Sequence, residues 1–420
     1  MFVKDAIIFY LKNFLLINIG RINIMPNMVQ KFSEFVETIE GKTRLLVPAS
    51  SLLGRVPSKV PAFFNPSAKL NRDISVLVYK TFVPAIKKNP RSFGDPFGGI
   101  GARGLRVAVE IPQLEQIYIN DINSVAIEAA KKASEINLVA QKCTFTTQEV
   151  VQFLTSHDSR NFERFSVVDL DPFGSPAPYI DCVLRSVTQG GMLSITATDT
   201  AVLCGVHPEV CMRKYYGRPL NNHYAKETAL RLIISLIAIT AARLDLAVHP
   251  VFVHANLHYL RAYIMVTVSR HDANSVFREI GYLRDCAKCG NRNAITESHT
   301  GDSCELCGSR YSFAGFLWIK RLFDKAFVKK MSDLLETDHE QNASMRYLNK
   351  GLFTCIEELD DIPFYFLSDE IASRLHTNPN PLQKIIERLH SIGYRASRTS
   401  LDPNGFKTDA GIYQILDLLR

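Results

Sequence analysis

No stretch of this 420-residue chain is apolar for the about 20 residues that a bilayer-spanning helix needs. Ala6 to Ile19 is interrupted by Lys12, and Leu232 to Ala242 ends between Arg231 and Arg243. No membrane span is therefore expected, and the second stretch reads as a buried helix. The first stretch lacks the small-residue cleavage site of a secretory signal. Lys4, Lys12 and Arg21 against the single acid Asp5 leave a mitochondrial presequence as one reading, against which the scarcity of Arg and Ser counts. An added N-terminal helix, or translation from Met25 or Met28, explains the same residues. Residues 1–37 are set apart as an N-terminal extension. A disulfide framework is also missing. The cysteines number nine, an odd count, with four in tight pairs and the rest scattered. That distribution points to a reducing intracellular compartment, nucleus or cytoplasm. No internal repeat or low-complexity tract is present.

What is present is ordinary globular text, 46% hydrophobic and 22% charged. The length allows two or three domains, and a net charge of +7 permits an anionic partner without requiring one. From about residue 91 the chain alternates strand and helix signals. Strands are expected at 116–120, 143–147, 165–170, 192–197, 248–253 and 263–268, and helices at 124–137, 183–187 and 224–244. This order predicts an α/β fold with a doubly wound parallel sheet. Upstream, Phe63-Phe64-Asn65-Pro66 is a turn signal. Asn71-Arg72-Asp73 opens a helix through Lys80, with Asn71 or Asp73 as cap. At Asp285 the character changes, which divides the chain into 38–284 and 285–420. Beyond 332 the text is polar to 350. It is then helical at 382–392 and 412–419, with a strand-and-turn segment at 394–409, a pattern that fits a small winged-helix-like module.

The most informative stretch is Val167 to Pro176, VVDLDPFGSP. An apolar run that ends in an acid is how a buried parallel strand delivers a polar loop to the carboxyl edge of its sheet, where α/β proteins place ligands. Asp171 can accept hydrogen bonds from an exocyclic amine, and Phe173 can stack on the base that carries it. Asp169 alternates with Asp171 along the strand and reads as support. A strand-end turn with an Asx cap reads the same residues more plainly. The tetrapeptide Asp-Pro-Phe-Gly also occurs at 95–98, where it runs into Gly99, Gly101 and Gly104. Glycines there allow tight turning and close backbone approach to a ligand. Asp121 follows the next strand about 20 residues on, where an acid suits ribose hydroxyls. Arg103 inside that turn suits a carboxylate better than a pyrophosphate. A plain strand-to-helix turn remains the alternative.

Cys286-x-x-Cys289 and Cys304-x-x-Cys307 enclose fourteen residues, each pair followed by Gly290 or Gly308. This is the spacing of two zinc knuckles, and four thiolates close the shell, so the zinc is structural. His299, between the pairs, reads as a surface residue. Next, Lys320, Arg321, Lys325, Lys329 and Lys330 are expected on one helix with Trp318, Phe323 and Phe327. Arg321, Lys325 and Lys329 would share a face, either as a phosphate-contacting stripe or as a solvated side. Arg398 and Lys407 raise the same alternatives.

Taken together these residues resemble the tRNA guanine-N2-dimethyltransferases that modify guanine 26. The resemblance runs from about 38 to 412. It includes Phe64-Asn65-Pro66, Asn71-Arg72-Asp73-Ile74-Ser75, Gly101 to Arg106, Asn120 to Asn123, Asp169 to Pro176, the cysteine pairs, Ser397-Arg398-Thr399 and Lys407 to Ala410. Glu149 stands where that family commonly has Asp, and Ser400-Leu401 where it has His-Phe. The resemblance implies a Rossmann-like S-adenosylmethionine-dependent methyltransferase domain and a C-terminal α+β domain, carrying the zinc ribbon, that helps hold tRNA. It implies two successive transfers to one exocyclic nitrogen. It also implies that Arg72, Gly101, Arg103, Asp121 and Glu149 serve the cofactor, and Asp171 the target amine. No motif points to an obligate protein partner, so a monomer is expected. Three rival readings are a methyltransferase for another RNA or DNA amine, a nicotinamide-dependent oxidoreductase, and a non-catalytic RNA-binding module.

Overall fold

The computed structural model describes residues 34–53, 57–157, 164–256, 258–296, 301–337 and 343–420, with side chains from 348 in the last stretch. The expected presequence region and His299 lie outside the described residues. A hairpin of β1 (Phe35–Glu40) and β2 (Thr43–Pro48) leads the chain. Seven strands then form the large sheet. They are β3 (Ser92–Asp95), β4 (Gln116–Asn120), β5 (Cys143–Thr146), β6 (Phe165–Leu170), β7 (Val187–Ala197), β8 (Leu246–Asn256) and β9 (Tyr259–Val268). Their order is β5-β4-β3-β6-β7-β9-β8. The pairs β3–β4, β4–β5, β3–β6 and β6–β7 are parallel.

The sheet is not parallel throughout. β9 lies antiparallel between β7 and β8, so the last two strands form a hairpin on the edge. Only two residues lie between Asn256 and Tyr259, too few for the crossover that a parallel neighbour requires. The chain leaves β3 toward β4 and β5, then returns to β6 on the other side. That reversal opens a crevice beyond the carboxyl ends of β3 and β6. Every residue of β6 is buried, as a central strand covered on both faces requires.

The helix expected at Asn71 begins earlier, at Lys69, and runs to Phe82. Asn65 caps the short turn ahead of it by accepting from the Ser67 amide, 3.0 Å away. Asn71 and Asp73 are therefore interior and buried, and neither caps the helix. The helix after β3 spans Ala102–Glu110, so Arg103 and Gly104 sit in its first turn and not in the glycine loop. The remaining helices include Ile180–Ser186 and the long, mostly buried Ala225–Ala242.

The next sheet is centred on β10 (Ile280–Asp285), a strand that crosses the expected boundary at 285, and pairs it on either side with β11 (Arg292–Ile295) and β12 (Ser312–Trp318). Trp318 thus ends a strand. The basic helix starts only at Lys325 and runs to Thr337, so Lys320 and Arg321 precede it and the expected stripe is broken. The polar text beyond 332 is helical as far as Thr337, and a second helix spans Ala343–Glu357. A small sheet follows, ordered β13 (Phe366–Leu367), β15 (Gly405–Thr408), β14 (Ala396–Arg398), with helices Ser368–Leu375 and Leu382–Ser391 before the β14–β15 hairpin. This is the winged-helix-like arrangement, and it has its own small core around Phe406. The main core continues from the large sheet through Leu283 and Trp318 to Leu352.

Candidate active site and metal centre

Asp171 follows the last residue of β6 and reaches the crevice. Its loop is fixed by two bonds across to the end of β7. The Gly174 amide donates to Thr198 Oγ1 at 2.7 Å, and the Thr198 amide donates to the Gly174 carbonyl at 2.9 Å. Ser175 Oγ donates to Tyr215 Oη at 2.8 Å, and Tyr215 donates in turn to Asp199 at 2.7 Å. On this braced loop Phe173 is 65% exposed. Its ring meets the edge of Phe63, with centroids 4.8 Å apart, and Lys59 lies 5.2 Å from it. An exposed ring backed by a half-buried one beside a carboxylate is a surface onto which a planar base can stack. The sequence marks Phe63 only as part of a turn. A loop aromatic has no periodicity to signal it, and only the neighbouring Asn65-Pro66 text drew attention there.

Beneath the loop lies a buried charge network. Arg103 reaches Asp171 at 2.6 Å and Asp169 at 3.0 Å. Arg261, fully buried on β9, reaches Asp169 at 2.6 Å, and the Tyr79 hydroxyl donates to the same oxygen at 2.5 Å. Asp169 is support, as its alternation with Asp171 implied. Burial by itself would push the Asp171 carboxyl up. The charges of Arg103 and Arg261, with hydrogen bonds from Arg103 and Thr196, outweigh it and hold the group below its ordinary value. Asp171 is an anion at neutral pH. Its several lone-pair sites leave room for an amine beside Arg103. At the end of β3, Asp95 has the opposite fate. Burial and the charge of Asp169 push it well up, and its Oδ2 has no hydrogen-bond partner among the described residues. Asp95 went unremarked in the sequence as a site residue because its tetrapeptide was valued for its glycines.

The cofactor candidates occupy the neighbouring strand ends. Gly101 has φ of 75°, which favours glycine, and a Cβ there would lie 3.0 Å from Ala130. Asp121 accepts from the Gly99 amide at 2.9 Å and the Asn123 amide at 2.8 Å, which ties the glycine loop to the end of β4. Glu149, beyond β5, uses one oxygen to cap the helix Val150–Ser156. The edge thus brings Asp95, Gly101, Asp121, Glu149 and Asp171 to one side of the sheet. Arg103 has a visible role besides the cofactor contact expected of it, since its guanidinium grips Asp169 and Asp171. Arg72 is held by Glu40, at 2.5 and 2.6 Å, and by the Asn65 carbonyl. These contacts place Arg72 behind the segment that presents Phe63. The residues fit S-adenosylmethionine on one count above all: Asp95 supplies a buried, unpartnered polar atom beside a loop made for close approach.

The four paired cysteines converge, with all four sulfurs within 4.8 Å of one another. Cys286 and Cys307 lie 3.5 Å apart, and Cys289 and Cys304 lie 3.6 Å apart. Tetrahedral zinc with bonds of about 2.3 Å sets sulfurs at about 3.8 Å, so the cluster fits the ion. Gly290 and Gly308 take positive φ and donate back to the Cys286 and Cys304 carbonyls, both at 2.8 Å. The site lies on the ribbon sheet, away from the crevice.

Of the basic candidates, Lys325 bonds the Glu358 carbonyl at 2.8 Å, and Lys329 pairs with Asp333 at 2.8 Å. Lys407 is not an RNA contact. It is fully buried between Glu227, at 2.7 Å, and Glu358, at 3.1 Å. Arg398 is exposed.

A family model described as N2,N2-dimethylguanosine tRNA methyltransferase matches residues 41–420. The chain is 34% identical over 381 residues to a tRNA (guanine(26)-N(2))-dimethyltransferase of Methanothermobacter thermautotrophicus, covering 90% of this chain and 97% of that protein. It is 31% identical over 382 residues to a tRNA (guanine(26)-N(2)/guanine(27)-N(2))-dimethyltransferase of Aquifex aeolicus, covering 90% and 94%. Among solved structures it resembles Trm1 from Pyrococcus horikoshii in complex with S-adenosyl-L-methionine. That match has a TM-score of 0.77 and 29% identity over 91% of this chain and 99% of that one.

Proposed function

The chain belongs to the N2,N2-dimethylguanosine tRNA methyltransferase family, and on that premise we propose that it transfers methyl groups from S-adenosylmethionine to the exocyclic N2 of guanine 26 in tRNA. The observation that carries this reading is Asp171, an anion held by Arg103 beside the exposed Phe173 and the half-buried Phe63 at the switch point of the sheet. The guanine amine is a poor nucleophile because its lone pair is delocalised into the ring. The base leaves its helix and stacks on the aromatic pair. Asp171 accepts an N–H bond and turns the lone pair toward the methyl donor. Most of the acceleration then comes from positioning. Once the nitrogen is methylated and cationic it is a strong acid. A weak base such as Asp171 suffices to take its proton. A second methyl follows by the same steps.

Asp95, Gly101, Arg103, Asp121, Glu149 and Arg72 are the residues proposed to hold or frame S-adenosylmethionine, whose sulfonium supplies the methyl group. The Cys286, Cys289, Cys304 and Cys307 cluster is proposed to hold structural zinc. We assign methyl transfer to residues 38–284 and tRNA holding to 285–420, and expect a monomer that acts where tRNA matures, in nucleus, cytoplasm or mitochondrion. No helix among the described residues is long and apolar enough to cross a membrane. The test is to incubate purified protein with labelled S-adenosylmethionine and unmodified tRNA. The account expects label in the wild-type transcript and none when guanine 26 is replaced by adenine. Equal labelling of the two would assign the chemistry to another base.

A further inference from the structure

A cavity of about 660 Å³ lies between the large sheet and the C-terminal part, in addition to the crevice at Asp171. Its walls are the start of the helix Lys69–Phe82, the carboxyl end of β8, the helix Ala343–Glu357 and the turn after β14. Three cationic side chains line it, Lys226, Lys350 and Arg398, and no Asp or Glu does. Among the described residues no ion pair engages any of the three. Phe252, His254 and Tyr259 supply ring surface. The volume falls within the about 300–1,000 Å³ typical of small-molecule sites.

The cavity is joined to the reaction site. β8 runs in the same direction as β7, so its end lies at the same sheet edge as Asp171. The His254 ring stacks on Tyr263 at 5.9 Å, and the Tyr263 hydroxyl meets Ser75 Oγ at 2.9 Å. Arg103 donates to that Ser75 oxygen at 2.5 Å and to Asp171 at 2.6 Å. The cavity therefore opens at the sheet edge that carries Asp171.

We propose that the cavity is a second nucleotide subsite, which takes one nucleotide of the RNA strand flanking the methylated guanosine, with its phosphate on Lys350 and Arg398 and its base against the aromatic wall. The proposal rests on the RNA-methylating reading above. Cations without acids select a phosphate, and rings stack on any base without reading its identity. His254 adds a neutral donor or acceptor: burial, with the charges of Arg261 and Arg103, lowers its pKa to about 3, and its Nε2 has no hydrogen-bond partner among the described residues. The turn that follows Arg398 is braced, because Glu358 accepts from Thr399 Oγ1 at 2.9 Å and from the Ser400 amide at 2.7 Å.

Gly351 lines the cavity, and a Cβ there would meet nothing within 4 Å, so Gly351→Trp fills the space without a clash at its base. The full-length, zinc-loaded enzyme and its Gly351→Trp, Lys350→Ala and Arg398→Ala variants are compared on an unmodified tRNA transcript. In each variant KM for tRNA rises about tenfold, through loss of one charge-assisted contact in the alanine variants and through exclusion of the nucleotide in Gly351→Trp. kcat and S-adenosylmethionine affinity stay as in the wild type. The salt dependence of tRNA binding falls by about one in slope for each alanine variant. An unchanged KM and slope in Gly351→Trp and Arg398→Ala, with the wild type active, overturns the subsite alone. A fall in kcat with KM unchanged also overturns it. A wild type that methylates no tRNA overturns it together with the reading beneath it.

Discussion

Asp171 and Asp95 are two carboxyls at one sheet edge that their surroundings push in opposite directions. Asp171 is held low by Arg103 and Arg261 against the effect of burial, while Asp95 is raised by burial and by the Asp169 charge. The sign for Asp171 is that of a depressed acid. Its ionised form is favoured by the fold, and that stabilisation is present above the unfolded value near about 3.9 and lost as pH falls through the lower folded value. The account therefore predicts that kcat/KM shows no Asp171-dependent acid limb between about pH 5 and 8. An acid limb in that window that moves in Asp171→Glu would contradict it. The aromatic pair has a separate role. Phe63→Ala and Phe173→Ala each remove a stacking surface worth about 1–3 kcal/mol per base. Both should raise KM for tRNA by about 5- to 150-fold and leave S-adenosylmethionine affinity intact, measured by steady-state methylation and calorimetry. A loss of cofactor affinity in either variant would move Phe63 or Phe173 out of the base site.

At the scale of elements, the apolar run Val167–Leu170 with its trailing acid marked a central strand, and the cysteine pairs marked a ribbon. Both signals are local, and both hold in the structure. Direction is not local. Periodicity identified strands near 248 and 263 but not their antiparallel insertion, because alternation is the same either way. The text from Trp318 to Met331 carries aromatics and cations that suit a helix, yet β12 takes Trp318 and the helix waits for Lys325. Pairing with β10 overrides local preference there. The ribbon itself makes a prediction. Purified protein should carry one zinc per chain by elemental analysis. Cys304→Ser should lower that stoichiometry and the thermal midpoint, because the ion supplies folding free energy to a sheet with little core of its own. Full zinc content in that variant would contradict the four-thiolate site.

Over the whole molecule, what joins the two parts was invisible in the sequence. Lys407 read as a surface cation, and its partner Glu227 is 180 residues away. Burial of both at the junction makes them a tie between the methyltransferase sheet and the C-terminal module. Lys407→Ala leaves Glu227 and Glu358 without that cation and should cost about 3–5 kcal/mol, read as a lower denaturant midpoint. An unchanged midpoint would show that the two parts do not depend on this contact. The tie matters for function because the proposed base site lies in one part and the proposed tRNA-holding surface belongs to the other. The central claim is that this assembly presents guanine N2 to Asp171. The most direct measurement is mass-spectrometric nucleoside analysis of a tRNA transcript methylated by the wild type and by Asp171→Ala, with S-adenosylmethionine binding measured on both. The account predicts N2-methylated guanosine at position 26 from the wild type, and none from the variant with cofactor binding retained. Methylation at another base, or full N2 methylation by Asp171→Ala, would contradict it.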